Sequence, residues 1–114
     1  MAILARWRRL EHLPPPKGRD AMPGVYQLAN EAKHIIYIGQ SARDVPNRIR
    51  QHLRNPCVAE KLYYWRYKAS RIPQAEEATL IAEYRAKYGS LPPCNRVAPL
   101  ERNLKGRYQE RSKS

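Results

Sequence analysis

Two short tyrosine-containing motifs are the most informative part of this 114-residue chain. Residues 24–26 read Gly-Val-Tyr and residues 37–39 read Tyr-Ile-Gly, and they are followed by Arg48 and by Glu77. A phenol can exchange a proton with water, and a guanidinium stabilises charge on phosphate oxygens. A single carboxylate is enough for a Mg²⁺ ion, because that ion keeps several of its waters. Residue types in this order indicate hydrolysis of a phosphodiester bond.

Each of these residues, taken alone, also has an ordinary structural interpretation. Tyrosines in strands usually pack in the core or across strands. Arg48 alone is typical of a helix surface, and Glu77 alone is typical of a salt-bridged helix residue, with Arg85 as a candidate partner. His52 alone is typical of an exposed helical histidine. The functional prediction therefore rests on the spacing of the set and not on any one member.

The strands and helices that the sequence predicts around these residues indicate an α+β domain. Its sheet is small, three-stranded and mainly antiparallel, and helices flank it. Strands are predicted over residues 25–29, 34–39 and 62–68, and helices over residues 2–13, from a cap at Asp44 to about Leu53, and 74–88. The near-continuous apolar run of residues 34–39 predicts a central strand that is buried on both faces.

Helical spacing assigns the residues of the predicted helices to faces. Ile49 and Leu53 are expected to point into the core. On the last helix Glu77 shares the apolar stripe, whereas Glu76 and Glu83 are expected to face water. Burial of an unpaired carboxylate is costly, so Glu77 needs a partner, and a metal ion would be one.

The charge of the chain points to a polyanionic partner. Lys and Arg number 22 against 10 acidic residues, for a formal net charge of +12, and nucleic acid is the partner that this excess favours. A basic surface that only aids solubility is the alternative. No apolar run approaches the roughly 20 residues of a membrane span, and the first residues lack the order of a secretory signal. We expect a soluble, cytoplasmic protein with no membrane partner.

Two cysteines, Cys57 and Cys94, leave the pairing question open. One disulfide is arithmetically possible, but nothing in the sequence requires it. With the three histidines they show no spacing typical of a zinc site.

Basic residues between positions 43 and 71 are the candidates for a surface that follows the phosphate backbone. They are Arg43, Arg50, Arg54, Lys61, Arg66, Lys68 and Arg71. Tyr63, Trp65 and Tyr67 share one face of the third strand. They are suited to stacking on bases, but core packing is favoured because a small sheet needs large side chains.

The motifs GVY, YIG, PNRIRQHL, EATLIAEYRAKY and Asn95, in this order, resemble those of the GIY-YIG nuclease family. That family includes the N-terminal domain of the repair nuclease UvrC, certain homing endonucleases and several restriction enzymes. The resemblance covers about residues 22–95, the predicted nuclease domain. Residues 1–21 are predicted as a basic helix with a proline-rich linker, and residues 96–114 as a basic tail.

The resemblance implies a site, a cofactor and an activity. The catalytic positions are Tyr26, Tyr37, Arg48, His52 and Asn95, the metal ligand is Glu77, and the motif glycines are Gly24 and Gly39. The implied activity is that of a DNA endonuclease that depends on Mg²⁺ or Mn²⁺ and cuts one strand per active site, with RNA as the alternative substrate. Gln40 departs from the pattern, because UvrC-like members carry lysine there, and the loop before Asn95 has extra residues.

Two other functions are compatible with the same scaffold. One is a nucleic-acid-binding module that does not cut, although the presence of Arg48 and Glu77 weighs against it. The other is a nuclease subunit whose specificity comes from a protein partner, since the chain has no recognisable separate DNA-reading domain.

Overall fold

A computed structural model describes Ile3 and residues 5–96 of the chain. The strands are β1 (Arg8–Arg9), β2 (Gly24–Ala29), β3 (Ile35–Ser41) and β4 (Tyr64–Ala69). The helices are α1 (Val45–His52), α2 (Pro56–Lys61) and α3 (Pro73–Tyr88), with short 3₁₀ turns at Leu10–His12 and Pro93–Asn95. The predicted basic tail lies outside the described residues, apart from Arg96.

The sheet is antiparallel, and its strand order is β1-β4-β2-β3. The α+β class is confirmed, but the sheet has a fourth strand that the sequence analysis did not predict. The placement of residues 34–39 at the centre was wrong: β3 is an edge strand, and β2, buried along its whole length, is central. The apolar run of β3 arises because α1 and α3 both pack against it.

The predicted N-terminal helix was also wrong. Arg8 and Arg9 pair with Trp65 and Tyr64 of β4 and extend the sheet. An open strand edge offers unpaired N–H and C=O groups, and pairing there prevailed over the helical spacing of the apolar residues. Ile3 is buried in the core, so this segment packs against the domain.

Side chains from the two faces of the sheet form two apolar clusters. Because successive strand residues point to opposite faces, Tyr26 and Val25 belong to different clusters. The first cluster contains Tyr26, Leu28 and Trp65 with Val45, Ile49 and Val58, and the second contains Ile3, Val25, Ile38 and Leu80. Helices α1 and α3 thus cover opposite faces of the same strands.

Helix α1 begins at the predicted cap. Asp44 Oδ1 accepts a hydrogen bond from the backbone N–H of Asn47 at 3.0 Å, which satisfies one of the N–H groups that a helix start leaves unpaired. The prediction that Leu53 points inward was wrong, since 38% of its surface is exposed. The helix ends at His52, and a new helix, α2, begins after Asn55, whose side chain caps the N–H of Cys57.

Helix α3 starts at Pro73 and ends at Tyr88, directly before Gly89, as expected from the sequence. Gly89 has φ 81°, a left-handed conformation that favours glycine at a helix end. The prediction that Glu76 faces water was wrong. Its carboxylate pairs with Lys68 of β4, and only 18% of its side chain is exposed.

Cys57 and Cys94 form a disulfide, with Cα atoms 5.7 Å apart. The bond joins the start of α2 to the 3₁₀ turn at residues 93–95. Within the described residues, no helix is both long and apolar enough to cross a bilayer.

Candidate active site

The two motif tyrosines lie side by side on neighbouring strands. In the β2–β3 register Tyr26 is opposite Gly39, and Tyr37 is opposite Leu28, so both tyrosines project from the same face. Their ring centroids are 6.3 Å apart, with an interplanar angle of 25°. The expected approach of the tyrosines across a hairpin is confirmed.

The motif glycines are required by close packing. A Cβ atom on Gly39 would lie 2.5 Å from the Tyr26 hydroxyl oxygen and 2.8 Å from Cε2 of Tyr37. A Cβ atom on Gly24 would overlap the backbone carbonyl oxygen of Lys68. Gly39 therefore provides the space in which the two phenol rings sit.

His52, at the end of α1, completes an aromatic group with both tyrosines. Its Nε2 is 2.6 Å from the hydroxyl oxygen of Tyr26, and its ring centroid is 4.4 Å from that of Tyr37. Burial, assisted by the positive charge of Arg48, lowers the pKa of His52 to about 4. The imidazole is neutral at pH 7, so one ring nitrogen is available as an acceptor.

Tyr26 is fully buried. Burial raises the pKa of its phenol well above the ordinary value, and the charge of Arg48 lowers it to a smaller extent. The phenol is therefore protonated at neutral pH and can donate its proton to His52.

Arg48 and Glu77 bring opposite charges to this group from α1 and α3. The guanidinium of Arg48 is exposed and donates to Oε1 of Gln51 at 3.0 Å. Glu77 is partly buried; burial raises the pKa of its carboxyl group, and the charge of Arg48 lowers it. The structure thus brings together five predicted site residues: Tyr26, Tyr37, Arg48, His52 and Glu77.

Asn95 acts on the backbone of this site. Its Oδ1 accepts from the N–H of Ile38 at 2.8 Å, and its Nδ2 donates to the carbonyl of Ile38 at 3.0 Å. The oxygen and the nitrogen of the Asn95 amide therefore both hydrogen-bond the backbone of Ile38, which lies between Tyr37 and Gly39 on the unpaired edge of β3. Asn95, which the sequence analysis predicted as a catalytic residue, thus holds β3 in place through its backbone.

The model of the GIY-YIG catalytic domain matches residues 22–89. This chain belongs to the GIY-YIG family. UvrABC system protein C of Chlorobium phaeobacteroides (strain DSM 266 / SMG 266 / 2430) is 39% identical over 56 residues, which cover 41% of this chain and 9% of that protein. No solved structure matches the chain. Family membership supports a nuclease-type function.

The basic residues predicted to follow the phosphate backbone separate into two groups. Arg43, Arg54 and Arg71 are exposed. Lys61 is also exposed, and its ammonium group lies 3.3 Å from the carboxylate of Glu60. Their charges are accessible from solvent, as an interface with DNA requires.

The remaining three are engaged within the protein. Arg50 donates to the backbone carbonyls of Leu13 and Pro14. Arg66 donates to Gln27 at 2.8 Å and lies over a tryptophan ring, and Lys68 pairs with Glu76. Arg50 thus joins the N-terminal segment to α1, Arg66 joins that segment to β4, and Lys68 joins α3 to β4.

Of the three aromatic residues that the sequence analysis assigned to the core, Trp65 and Tyr67 pack in the first cluster, whereas Tyr63 precedes β4 and is half-buried. Trp65 is only 2% exposed, and its indole N–H donates to the carbonyl of Arg9 at 2.9 Å. Its ring stacks on Tyr67, with centroids 5.5 Å apart. Trp65 is thus unavailable for stacking on bases.

A polar cleft of about 370 Å³ adjoins Arg48. Sequence analysis identified Arg43 and Arg48 of its lining but missed the amide side chains of Asn47, Gln51 and Gln74. The sequence did contain a signal for two of these residues, because Asn47 and Gln51 are four residues apart and therefore share one face of α1.

The residues of the site fit a divalent cation that is held by one carboxylate. Among the described residues, no group of three or more His, Cys, Asp and Glu side chains converges to form a metal cage. Mg²⁺ needs only one or two carboxylates, together with waters and substrate phosphate. Glu77 is such a carboxylate, and a nearby cation would offset the cost of its burial.

Proposed function

We propose that this protein is a metal-dependent DNA endonuclease that hydrolyses phosphodiester bonds, one strand per active site. The observation that carries the proposal is the convergence of Tyr26, Tyr37, Arg48, His52 and Glu77 in a member of the GIY-YIG family. The net charge of +12 suits a polyanionic substrate such as DNA.

The hydrogen bond between Tyr26 and His52 supplies a route for the proton that water must lose. A phenol with a raised pKa is a poor base unless its own proton leaves at the same time. In the proposal, substrate binding admits one water to the oxygen of Tyr26, which is buried in the free protein. That water gives a proton to this oxygen while Tyr26 gives its own proton to the neutral His52. The hydroxide oxygen bonds to phosphorus, and the bond from phosphorus to the leaving oxygen breaks.

Arg48 stabilises the negative charge that develops on the phosphate during this step. Its guanidinium can donate two parallel hydrogen bonds to the non-bridging oxygens. Tyr37, partly buried beside Tyr26 and the ring of His52, limits the positions that the attacking water can take.

Glu77 would hold Mg²⁺ or Mn²⁺. When bound, such an ion neutralises phosphate charge and eases departure of the leaving oxygen. Helix α3, which carries Glu77, packs against β2 and β3 from the face opposite α1, and the charge of Arg48 still acts on the Glu77 carboxyl group, which supports this proposal.

Cleavage assays with a Glu77→Gln variant test the proposal. Purified protein is incubated with labelled single-stranded, duplex and branched DNA, and with RNA, with and without Mg²⁺ or Mn²⁺. We expect metal-dependent cutting by the wild type and loss of cutting in the variant, with DNA binding largely retained. Glu83→Gln, an exposed glutamate of the same helix, is the control and should cut normally.

Other outcomes of these assays would contradict the proposed metal site or favour a different function. Unchanged cutting by Glu77→Gln would exclude the assigned metal site. Salt-sensitive binding without cutting under any metal condition would indicate a binding module, and cutting only after addition of a cell extract would indicate a subunit that needs a partner.

A further inference from the structure

Two tyrosines at the start of β4 lie outside both apolar clusters. Tyr63 directly precedes the strand and Tyr64 is its first residue, and neither belongs to the cluster on either face of the sheet. Both side chains are half-buried. Their rings meet edge to face, with centroids 4.7 Å apart and an interplanar angle of 72°. Part of this aromatic surface is therefore accessible to a ligand.

Each of the two rings has an exposed cation over it. The guanidinium carbon of Arg9 lies 5.6 Å from the ring centroid of Tyr63, and Nζ of Lys33 lies 5.2 Å from that of Tyr64. The guanidinium of Arg9 is also 3.7 Å from the carboxylate of Glu11, in an exposed ion pair of the kind that contributes little to stability. Two distant segments, β1 and the turn between β2 and β3, thus bring positive charge to one aromatic pair. These four side chains form the cation–tyrosine site: Arg9, Lys33, Tyr63 and Tyr64.

Lys33 has a backbone conformation that lysine rarely adopts. Its φ is 66°, in the left-handed region, and its N–H donates to the carbonyl of Asn30 at 2.8 Å to close the turn. Glycine and asparagine are the usual residues at such a position. A lysine there costs stability that a glycine would not, which favours a role for its ammonium group in binding.

The cation–tyrosine site is separate from the catalytic residues. Tyr64 pairs with Ala29 at one end of β2, whereas at the other end Gly24 pairs with Ser41, which lines the polar cleft beside Arg48. The length of strand between residues 24 and 29 is about 17 Å. A stacked DNA strand covers that distance with about five nucleotides, so one strand can reach both places.

We propose that the cation–tyrosine site binds an unpaired segment of the DNA strand, away from the point of cleavage. On binding, the two cations move from the tyrosine rings to phosphates, and bases stack on the rings in their place. This exchange favours the complex, because a base stacked on an aromatic ring strengthens binding about five- to 150-fold, whereas an exposed cation–π contact contributes about two- to fivefold. Exposed Arg6 and Arg8 add positive charge to the same segment. The choice of DNA as the ligand rests on the proposed function.

Affinity for single-stranded and for duplex DNA tests this site. The protein is titrated in EDTA, which prevents metal-dependent cutting, with a labelled single strand and with the same strand paired to its complement, and fluorescence anisotropy is measured. We expect Tyr64→Leu, which keeps an apolar side chain, to weaken binding of the single strand about tenfold. Binding of the duplex should be nearly unchanged, because its base faces are stacked within the double helix.

Lys33→Gly separates binding from folding. Its urea midpoint should equal or exceed that of the wild type, because glycine adopts a positive φ without steric cost. Its affinity for the single strand should nevertheless fall several-fold. The slope of log affinity against log salt should decrease by about 0.7, the contribution of one phosphate contact in a single strand.

Tyr88→Leu is the matched control. Tyr88 is also exposed and has Lys87 over its ring at 5.3 Å, but it lies at the end of α3, so this variant should bind as the wild type does. Unchanged single-strand affinity in Tyr64→Leu and Lys33→Gly would overturn the site, and so would equal losses for single strand and duplex. Failure of the wild type to cut any DNA would instead contradict the nuclease proposal, and the affinities measured in EDTA would still decide the site.

Discussion

The ring of Tyr26 rests against the backbone of Gly39, and a side chain at that position would collide with it. We expect Gly39→Ala to displace both tyrosines, because the added Cβ would lie 2.5 Å from one phenol oxygen and 2.8 Å from the other ring. Cleavage should fall about a hundredfold, and the protein should be destabilised by about 1–3 kcal/mol. Cleavage kinetics and urea unfolding measure the two effects.

Gly18→Ala is the control for this substitution. A Cβ atom at Gly18 would meet only atoms of Pro15, at 3.4 Å, an ordinary contact. If Gly39→Ala were as active and as stable as Gly18→Ala, the packing of Tyr26 on Gly39 would not position the site.

His52 makes the stability of the fold depend on pH. Its pKa is about 4 in the folded protein and near 6.5 in the unfolded chain. Between these values the unfolded state binds more protons, so stability falls as the pH is lowered from about 6.5 to 4, by at most about 3 kcal/mol. Urea unfolding at several pH values between 4 and 7 measures this loss.

Replacement of the imidazole isolates its contribution. His52→Gln should lose less stability over the same pH interval, whereas His34→Gln, a change at an exposed histidine, should behave as the wild type does. An identical pH dependence for the wild type and His52→Gln would show that burial does not hold His52 neutral.

At the scale of elements, the 3₁₀ turn at residues 93–95 is fastened to the domain in two ways. Asn95 binds the backbone of Ile38 through two hydrogen bonds, and Cys94 is joined to Cys57. The outer edge of β3 would otherwise expose these backbone groups. The turn therefore protects the strand that carries Tyr37 and Gly39.

Reduction of the disulfide should destabilise the protein. The bond joins residues 37 apart in sequence, and closing a loop of that length removes about 4 kcal/mol of chain entropy from the unfolded state. We expect a lower urea midpoint in the presence of a reductant. The double variant Cys57→Ser/Cys94→Ser should be insensitive to reductant, and an unchanged wild-type midpoint would mean that the bond does not contribute to stability.

At the scale of the whole molecule, charge is expected to govern affinity. Residues 97–114 contain five basic residues, Arg102, Lys105, Arg107, Arg111 and Lys113, against two acidic ones. Replacement of these five by glutamine should weaken DNA binding for all sequences and lower its salt dependence, because fewer counterions are released. Fluorescence anisotropy at several salt concentrations measures both, and a loss confined to particular sequences would contradict a purely electrostatic role.

Local signals were sufficient for much of the fold and of the site. The cap at Asp44, the start at Pro73 and the stop at Gly89 each depend on chemistry within one helical turn, and all three were predictable. The spacing of the two tyrosine motifs predicted the β2–β3 hairpin, which alone brings Tyr26 and Tyr37 together. By itself, the sequence thus determined the hairpin, the two main helices, the α+β class and the residue types of the site.

Long-range contacts decided the rest, because no local pattern encodes them. The pairing of Arg8–Arg9 with β4 changed a predicted helix into a strand, and the pairing of β4 with β2 left β3 at the edge. Asn95 was identified by its type, but its role depends on an edge backbone 57 residues away. Tertiary structure alone decided which polar groups are buried and which partners they meet, since distant segments supply both the burial and the partners.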